Sequence, residues 1–376
     1  MKGKCMITEV FPQGLALGHN FCNRVIEQEH LLQNIQTARA TLLMSPRRYG
    51  KTSLVMQVIS KLKTPFADVD LYSELDEIEI QNSILTAIGK LVYTVESTTN
   101  KTIQFVTSFF SELNITFHYR GADLISELNK SKNPPAKTIL SALKKLDELL
   151  AKRKKKVVLF FDEFQRVAEL STSGTIEGAI RHVAQKSKTI SFIFSGSNRR
   201  LLEKMFYDSK KPLYKLCDRI TLNRINKDDY IPFIQNLAKM KWNKLLDETV
   251  LEAIFQYTEL HPYYINVLCH KLWFSKKLPI EHDVITTWQK YASEEKSNIL
   301  AEMDLLSKNQ AKMLIALAKY GQEWQPMQKE FLHLTNFSLS SASQAIDVLN
   351  KKDYLFVDDN NHYQIVDPLI KYLFIK

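Results

Sequence analysis

The sequence predicts an α/β fold built on a parallel sheet, followed by an all-helical region and a small C-terminal module. Residues 157–161 are five consecutive apolar residues, and residues 190–194 form a similar run. Runs of this kind are typical of central parallel strands that are buried on both faces. Residues 226–298 keep helical periodicity throughout, whereas residues 299–376 change to three helices and a β-hairpin.

The length of the chain favours several domains. A chain of 376 residues is too long for one hydrophobic core of ordinary size. Its hydrophobic fraction of 45% and charged fraction of 24% are ordinary for a folded protein. We expect a first domain at 1–224, a helical domain at 225–298 and a third domain at 299–376, with an insertion at about 97–135.

Periodicity and turn residues place the individual elements. Strands are predicted at residues 41–44, 66–71, 114–119, 157–161 and 190–194. Helices of the first domain are predicted at residues 24–37, 53–63, 77–95 and 136–151. Later helices are predicted at residues 227–240, 247–257, 262–275, 282–294, 306–318, 326–334 and 339–350. A hairpin over 354–366, turning at 358–361, completes a winged-helix module.

The segment Ser-Pro-Arg-Arg-Tyr-Gly-Lys-Thr, residues 45–52, lies between a predicted strand and a predicted helix. This order is typical of a phosphate-binding loop, whose backbone N–H groups and following helix N-terminus point at phosphate oxygens. Gly50 lets the backbone curl, Lys51 neutralises the β- and γ-phosphates, and Thr52 binds Mg²⁺ through its hydroxyl. Ser45 stands where the first glycine is expected, and serine fits there if φ stays negative.

The alternative is a plain turn before a helix, but the flanking strand and helix favour phosphate binding. The predicted phosphate-loop residues are Ser45, Pro46, Arg47, Arg48, Tyr49, Gly50, Lys51, Thr52 and Ser53.

A pair of carboxylates, Asp162 and Glu163, follows the apolar run 157–161. Mg²⁺ prefers hard oxygen ligands, and the water that attacks a phosphate needs a residue to polarise it. We expect Asp162 to hold Mg²⁺ through its water shell and Glu163 to act as the catalytic base. The pair would alternatively only begin a loop, but its place after a central strand favours the metal site.

Polar residues also follow the run 190–194. Ser197 or Asn198 is placed to reach the γ-phosphate, and Arg199 or Arg200 to stabilise charge in the transition state, in the same subunit or a neighbour. A solvated basic helix start is the alternative. The predicted catalytic residues are thus Lys51, Glu163, Ser197, Asn198 and Arg199.

The formal charge of +10 raises the question of a polyanionic partner. Residues 1–300 carry the whole excess, a surplus of +11, because residues 301–376 hold 8 lysines and 9 acidic residues. The basic run 152–156 precedes a buried strand, and we interpret it as a solvated helix end rather than a nucleic-acid site.

The winged-helix module itself is a poor candidate for reading DNA. Its third helix, residues 339–350, has no Arg or Lys, and the predicted wing at 358–361 contains two aspartates that phosphates repel. We therefore expect it to contact a protein partner, while DNA stays open as a partner of the basic first domain.

No run of eighteen apolar residues exists, and the N-terminus lacks a signal-peptide pattern, so we expect a cytoplasmic protein that does not enter a membrane. The four cysteines, Cys5, Cys22, Cys217 and Cys269, lack the spacing of a zinc site. We interpret them as reduced thiols with a structural or silent role.

Taken in order, these motifs resemble the archaeal-type ATPase family of the STAND class of P-loop NTPases, relatives of the AAA+ initiator ATPases. The resemblance covers nearly the whole chain. The motifs that carry the resemblance are Pro46 to Leu54, Phe161 to Gln165, Ser195-Gly196-Ser197, Pro212-Leu213-Tyr214, His261-Pro262-Tyr263 and Asp367-Pro368-Leu369.

The resemblance implies an AAA+/STAND-like P-loop NTPase sheet, a helical lid and a C-terminal winged helix. It implies ATP with Mg²⁺ as cofactors, and it adds Arg24, His261 and Pro262 to the nucleotide-binding residues. His261-Pro262 belongs to a lid motif that contacts adenine and phosphate in similar proteins, although the pair would also suit an ordinary helix start. Asn23 and Leu260 depart from the family, which tends to have glycine at both positions.

Three hypotheses follow. The first is an ATP-hydrolysing molecular switch with slow turnover and nucleotide-dependent self-association, as the resemblance implies. Its signal would come from a partner or from residues 97–135. The second is an ATP-dependent DNA-binding helper in replication or transposition. The third is a nucleotide-binding scaffold that no longer turns over, suggested by Ser45 and Leu260.

Overall fold

The computed structural model describes residues 10–96, 101–111, 113, 115–120, 123–127, 133–171, 173–320, 325–357 and 362–375. It divides into two compact units, each assembled from several chain segments. The sheet unit contains Val25–Ser45 and Leu54–Leu222, and the helical unit contains Met1–Arg24, Pro46–Ser53 and Asn223–Lys376.

The sheet unit contains seven of the described strands and the first eight α-helices, apart from the start of α2. Its strands are β1 (Thr41–Met44), β2 (Phe66–Asp70), β3 (Thr116–Arg120), β4 (Asp123–Glu127), β5 (Val157–Asp162), β6 (Ile190–Gly196) and β7 (Asp218–Thr221). The helices are α1 (Val25–Thr37), α2 (Lys51–Ser60), α3 (Glu77–Glu96), α4 (Lys101–Ser111), α5 (Pro135–Arg153), α6 (Gln165–Leu170), α7 (Thr175–Ala184) and α8 (Arg199–Tyr207). The first three residues of α2 are grouped with the helical unit.

Five strands form one parallel sheet in the order β2-β5-β6-β1-β7. The first five residues of β5 and all of β6 are buried, which confirms the interpretation of the two apolar runs. Stacked aromatic rings fill the centre, and Phe161 lies 5.4 Å from Phe194. The predicted parallel α/β sheet is therefore present, with strands β1, β5 and β6 at its centre.

The sequence analysis missed β7, whose four residues include Asp218 and Arg219. A short edge strand with charged side chains lacks the apolar pattern on which the prediction rested. Within the predicted insertion, the strand expected at 114–119 appears as β3, which pairs with an unpredicted antiparallel strand, β4. The rest of that stretch includes residues 97–100, 121–122 and 128–132, which lie outside the described residues.

The basic run at the end of α5 is largely engaged within the sheet unit. Arg153 pairs with Glu96, at 2.7 Å. The Lys155 ammonium donates to the carbonyl of Val95, at 2.7 Å, and Lys156 donates to that of Gln36, also at 2.7 Å. These bonds support the interpretation of residues 152–156 as a helix end rather than a nucleic-acid site.

The helical unit begins with a 3-10 turn at Gly18–Asn20 and continues after residue 223. Its helices are α9 (Lys227–Trp242), α10 (Glu248–Thr258), α11 (Pro262–Trp273), α12 (Glu281–Asp304), α13 (Lys308–Tyr320), α14 (Lys329–Thr335), α15 (Leu339–Lys351) and α16 (Pro368–Ile375). Its strands are β8 (Leu355–Val357) and β9 (Tyr363–Ile365), which pair in antiparallel register.

Helices α13 to α15 and the β8–β9 hairpin form the predicted winged helix. The predicted wing at residues 358–361 lies outside the described residues. One continuous hydrophobic core joins α9 to α12 with the winged helix, and Trp288 and Phe331 are both fully buried in it. Because the two regions share this core, they belong to one compact unit.

The N-terminal segment packs into the same core. Phe11 is fully buried, with its ring 4.7 Å from that of Trp273. The Asn266 amide donates to the carbonyl of Pro12, at 2.9 Å. Residues up to Arg24 are therefore grouped with the helical unit, whereas the sequence analysis assigned all of 1–224 to the first domain.

Three cysteines are described, and all three are free thiols. Burial raises the pKa of Cys22 to about 12 and those of Cys217 and Cys269 well above the usual range. Such thiols stay protonated and unreactive. Cys5 lies outside the described residues. Among the described helices, none combines the length and apolar character that a membrane span requires.

Candidate functional site

The backbone of the loop at 46–53 has the curl that phosphate binding needs. Gly50 has a φ of 86°, a conformation that side chains disfavour, so a glycine is required there. Ser45 is fully buried and is not among the residues with positive φ. The serine that replaces the first loop glycine therefore fits without backbone strain. Arg48 carries the second positive φ of the loop, 62°.

Lys51 and Thr52 open helix α2, so the loop ends at the N-terminus of a ten-residue helix. The N–H groups of a first helical turn and the helix dipole favour anions. The Lys51 side chain is almost buried, and its ammonium donates to the carbonyl of Pro46, at 3.3 Å. Thr52 is exposed, and the Ser53 hydroxyl accepts a bond from the N–H of Ala16, at 3.2 Å.

Arg24 supports the loop from the N-terminal segment. Its guanidinium donates to the carbonyl of Asn223, at 2.6 Å, and to that of Tyr49, at 3.4 Å. Asn23 and Arg24 both have positive φ, 48° and 63°. Asparagine tolerates this conformation better than most residues, which explains how Asn23 stands where the similar family has glycine.

Tyr49 connects the loop to α11. Its side chain is buried, and its ring lies 4.8 Å from the imidazole of His261 in an edge-to-face contact. The Arg224 guanidinium donates to the Tyr49 hydroxyl, at 3.3 Å. Burial and the nearby cations Arg224 and Arg48 lower the pKa of His261 to about 3, so its imidazole is neutral. The structure thus brings predicted residues Tyr49 and His261 together.

His261 is the N-cap of α11 and Pro262 is its first residue, as an ordinary helix start would have them. The preceding residues, Glu259 and Leu260, have φ values of 48° and 59°. A left-handed leucine explains why glycine is common at that position in similar proteins. His261 Nδ1 is buried and has no hydrogen-bond partner. A buried imidazole nitrogen without a partner is unusual and marks a candidate ligand contact.

A cavity of about 390 Å³ adjoins the same region of the helical unit. The Arg48 guanidinium lies over the ring of Tyr263, 4.3 Å from its centroid. The Tyr264 hydroxyl donates to Asp367, at 2.6 Å, and burial raises the pKa of that carboxyl. Arg48 therefore lines a cavity together with aromatic and acidic residues of α11 and α12 and with Asp367, which precedes α16.

The sheet unit supplies the carboxylates. Asp162 ends β5, and its carboxylate accepts bonds from the Ser195 hydroxyl and from the N–H of Glu163, the latter at 3.1 Å. Strand register places Asp70 of β2 beside Asp162. Asp162 is thus fixed at the carboxyl end of a central strand, the edge at which α/β sheets bind ligands.

Glu163 turns away from the strand with a φ of 51°. Its carboxylate accepts bonds from the Ser197 hydroxyl, at 2.7 Å, and from the Gln165 amide, at 2.5 Å. Gln165 lies over Gly196, where an added Cβ would come within 1.9 Å of its oxygen. The resemblance to the ATPase family gave Gln165 no role, and its contact with Glu163 depends on packing that the sequence does not show.

The residues after β6 have separate roles. Ser197 is buried and bonds to Glu163. The Asn198 side chain caps α8 by accepting from the N–H of Leu201, at 3.1 Å, so its oxygen already has a partner. Arg199 is the first residue of α8, and Arg200 is exposed. The helix-start alternative thus describes Asn198 well, and Ser197 is the residue tied to the carboxylates.

The residues present fit Mg²⁺ and a nucleoside triphosphate. The Thr52 hydroxyl and the Asp162 carboxylate are hard oxygen ligands, and Mg²⁺ is usually held by one or two protein oxygens together with substrate phosphates. In the described part of the chain, no group of three or more His, Cys, Asp or Glu residues is arranged to hold a metal by itself. Each of these two oxygens, one in the helical unit and one in the sheet unit, is of the kind that Mg²⁺ prefers.

The parallel sheet, the loop before α2 and the C-terminal winged helix define an α/β fold of the P-loop ATPase type. Family models agree. One described as "ATPase domain predominantly from Archaea" matches residues 21–268, and one for a winged helix domain matches residues 300–376. The chain belongs to the family of ATPase domains found predominantly in Archaea.

Solved structures show the same fold. A Walker-type ATPase of Pyrococcus abyssi is similar with a TM-score of 0.68 and 18% identity, covering 96% of this chain and 97% of that one. The ADP form of the ORC2 protein of Aeropyrum pernix is similar with a TM-score of 0.51 and 14% identity, covering 93% and 94%. A search of curated proteins gave no significant match.

Proposed function

We propose that this protein is an ATP-binding and Mg²⁺-dependent ATP-hydrolysing molecular switch of the STAND class. The observation that carries the proposal is the anchoring of Glu163 by Ser197 and Gln165, beside Asp162 at the end of a central strand. A carboxylate fixed in this way is suited to orient a water molecule for attack on a phosphate.

The residues predicted to bind phosphate, to hold the metal and to polarise water have direct roles in this proposal. The backbone of the loop and Lys51 bind the β- and γ-phosphates, and Lys51 exchanges the Pro46 carbonyl for a phosphate oxygen. Thr52 and Asp162 would hold Mg²⁺, which neutralises phosphate charge when bound. Glu163 polarises the attacking water, and Ser197 holds Glu163 in place.

The switch role is supported by contacts within the helical unit. Tyr49 of the loop contacts His261 and Arg224, so a change in loop geometry reaches both side chains. Arg224 also donates to the carbonyls of Ile365 and Val366, at 3.4 Å each. Nucleotide state thereby reaches the winged-helix hairpin, where we place the contact with a protein partner.

The test compares ATP binding and turnover of the wild type, Glu163→Gln and Lys51→Ala with Mg²⁺. Glu163→Gln should keep ATP affinity within about threefold and lower turnover about 10²- to 10⁴-fold, the usual contribution of a general base. Lys51→Ala should lose binding. Absence of ATP binding by the wild type, alone and with candidate partners, would refute the proposal.

A scaffold without turnover is the competing form of this function. The conformations of Ser45 and Leu260 bear on it, because Ser45 is unstrained while Leu260 holds a left-handed backbone. Turnover by the wild type that disappears in Lys51→Ala excludes the scaffold. Binding without turnover in every variant would establish it.

The surplus of +11 in residues 1–300 favours a second candidate, an ATP-dependent DNA-binding helper. Binding that rests on phosphate contacts weakens steeply with salt. Affinity for long duplex and single strands, measured at two salt concentrations with and without ATP, tests it. An absence of salt-sensitive binding in all conditions removes this candidate.

A further inference from the structure

The helical unit has a surface that is both basic and apolar. It consists of residues 239–245, at the end of α9, and residues 274–280, after α11, and we call it the basic tip. The two segments are neighbours because the rings of Trp242 and Trp273 lie 4.7 Å apart. The five lysines of the tip are all exposed, at positions 239, 241, 244, 276 and 277.

The basic tip is also unusually apolar for an exposed surface. Four large side chains are between 58 and 75% exposed, namely Met240, Leu245, Phe274 and Ile280. Neither segment contains an acidic residue, so the tip carries five positive charges without compensation from its own segments. Exposed apolar side chains among charges of one sign are typical of an interaction surface.

The sheet unit carries a surface of opposite character. Residues 72–79, which connect β2 to the first turn of α3, hold four acidic residues and no basic one. We call them the acidic segment. Three of its side chains, Tyr72, Leu75 and Ile78, are 69, 74 and 55% exposed. The segment is short and well anchored, since Asp76 accepts bonds from the N–H groups of Ile78 and Glu79, both at 2.8 Å.

We propose that the basic tip of one copy of this protein binds the acidic segment of a second copy. The two surfaces are complementary in charge, five positive against four negative, and each offers apolar side chains for the other to cover. An anionic lipid surface or a nucleic acid would match the lysines of the tip but would leave Tyr72, Leu75 and Ile78 uncovered. A second copy accounts for both surfaces.

The geometry of this contact follows from the difference between the surfaces. A contact between two unlike patches builds a two-fold dimer when both contacts close on each other, and rings or open chains when they do not. Each patch is smaller than the roughly 20–30 residues that a standard interface uses on each side. We therefore expect weak association, visible at about 50 μM protein, that weakens at least tenfold between about 0.1 and 1 M salt as charges are screened.

The experiment measures the molar mass of the full-length protein by light scattering, without nucleotide and with a non-hydrolysable ATP analogue. Lys244→Glu with Lys276→Glu, at two loop positions, lowers the net charge of the tip from +5 to +1. Ser73→Lys with Glu77→Lys changes the net charge of the acidic segment from −4 to −1. We expect the wild type to exceed the mass of one chain and each variant to be monomeric.

The decisive sample is an equimolar mixture of the two variants. The segment variant keeps its basic tip and the tip variant keeps its acidic segment, so one intact contact should form and the complex should stop at two chains. Lys290→Glu with Lys296→Glu on α12 is the matched control, because it makes the same change in net charge on exposed positions of the same unit and should associate like the wild type.

A wild type that stays monomeric in both nucleotide states overturns the proposal, and so does a mixture that stays monomeric. Binding to vesicles that contain phosphatidylserine, or to duplex DNA, is measured as well. If only the tip variant loses such binding, and the molar mass never changes, the tip binds those partners instead. The measurement without nucleotide needs no ATP turnover, so its outcome is separate from the test of the proposed ATPase.

Discussion

Glu163 leaves β5 with a left-handed backbone, which is uncommon for a residue that carries a side chain. Such conformations persist where the surroundings hold them, and they cluster at functional sites. Here the surroundings are known: the Ser197 hydroxyl and the Gln165 amide both donate to the Glu163 carboxylate. The carboxylate is therefore oriented before any ligand arrives.

Ser197→Ala tests that orientation. Loss of the hydroxyl removes a bond to a charged group, which is worth about 1.5–3 kcal/mol. We expect kcat for ATP hydrolysis to fall about 10- to 100-fold while KM changes little, because Ser197 positions Glu163 and is not needed for binding. Ser197→Thr keeps a hydroxyl and should recover most of kcat. A change confined to KM would instead place Ser197 on the nucleotide.

His261 predicts a dependence of stability on pH. Its pKa is about 3 in the folded protein against 6.5 in the reference state, mainly because it is buried. Below pH 6.5, His261 is protonated in the unfolded chain but stays neutral in the folded protein. Stability therefore falls as the pH is lowered from about 6.5 toward 3. Urea unfolding at pH 7, 6, 5 and 4 should show a shallower fall in His261→Phe. Equal slopes for both proteins would contradict the shifted pKa.

At this scale the sequence predicted the residues whose chemistry is set by local pattern. Asp162 ends an apolar strand, as predicted, and the helix after the glycine turn begins at Lys51, two residues before the predicted start at 53. The pattern did not assign a role to Gln165, which reaches Glu163 by packing over Gly196. It also did not show that the Asn198 side-chain oxygen caps α8, while the role of Asn198 at the phosphate stays a prediction. Both cases depend on neighbours that spacing along the chain does not show.

Among the elements, the ion pairs around Glu259 tie three parts of the helical unit together. Its carboxylate accepts from Arg224 at 3.0 Å, before α9, and from Lys371 of α16 at 2.5 Å. All three side chains are about one-fifth exposed, so solvent screens them only in part. These ion pairs thereby connect the end of α10, the segment before α9 and helix α16.

Glu259→Gln should destabilise the helical unit, because it leaves two largely buried cations without their counter-charge. Breaking a fully buried pair costs about 3–5 kcal/mol, and partial exposure reduces our expectation to about 1–3 kcal/mol. Tryptophan fluorescence during urea unfolding measures it. Glu252→Gln is the control, since the pair of Glu252 with Lys227 is more exposed and its loss should cost under about 1 kcal/mol.

The predictions for individual elements were mixed. The helix expected at 282–294 is α12, which continues to Asp304 across the predicted domain boundary at 298, and helices α4, α7 and α8 were not predicted. The helix expected at 227–240 is α9, and the strand at 41–44 is β1 without change. Strand β7 escaped prediction because its position is fixed by pairing with β1 rather than by its own apolar residues. Pairing between distant segments is the physical information that a single-sequence pattern lacks.

For the whole molecule, the division into units was the hardest feature to foresee, because both units are made of separated chain segments. The domains predicted from the sequence were continuous segments. In the structure, the loop at 46–53 and the segment up to Arg24 are instead grouped with residues from 223 onward. Phe11 shows the physical reason. An aromatic side chain near the N-terminus is buried against Trp273, which lies more than 250 residues away in sequence.

Phe11→Ala tests this assignment. All four tryptophans lie after residue 223, so intrinsic fluorescence reports on the helical unit alone. Removing a fully buried phenylalanine costs about 3–5 kcal/mol, and the fluorescence midpoint in urea should fall accordingly. Leu15→Ala in the same segment is the control, because Leu15 is 43% exposed and its loss should cost about 1 kcal/mol or less. If Phe11→Ala leaves the fluorescence midpoint unchanged, the N-terminal segment does not stabilise the helical unit.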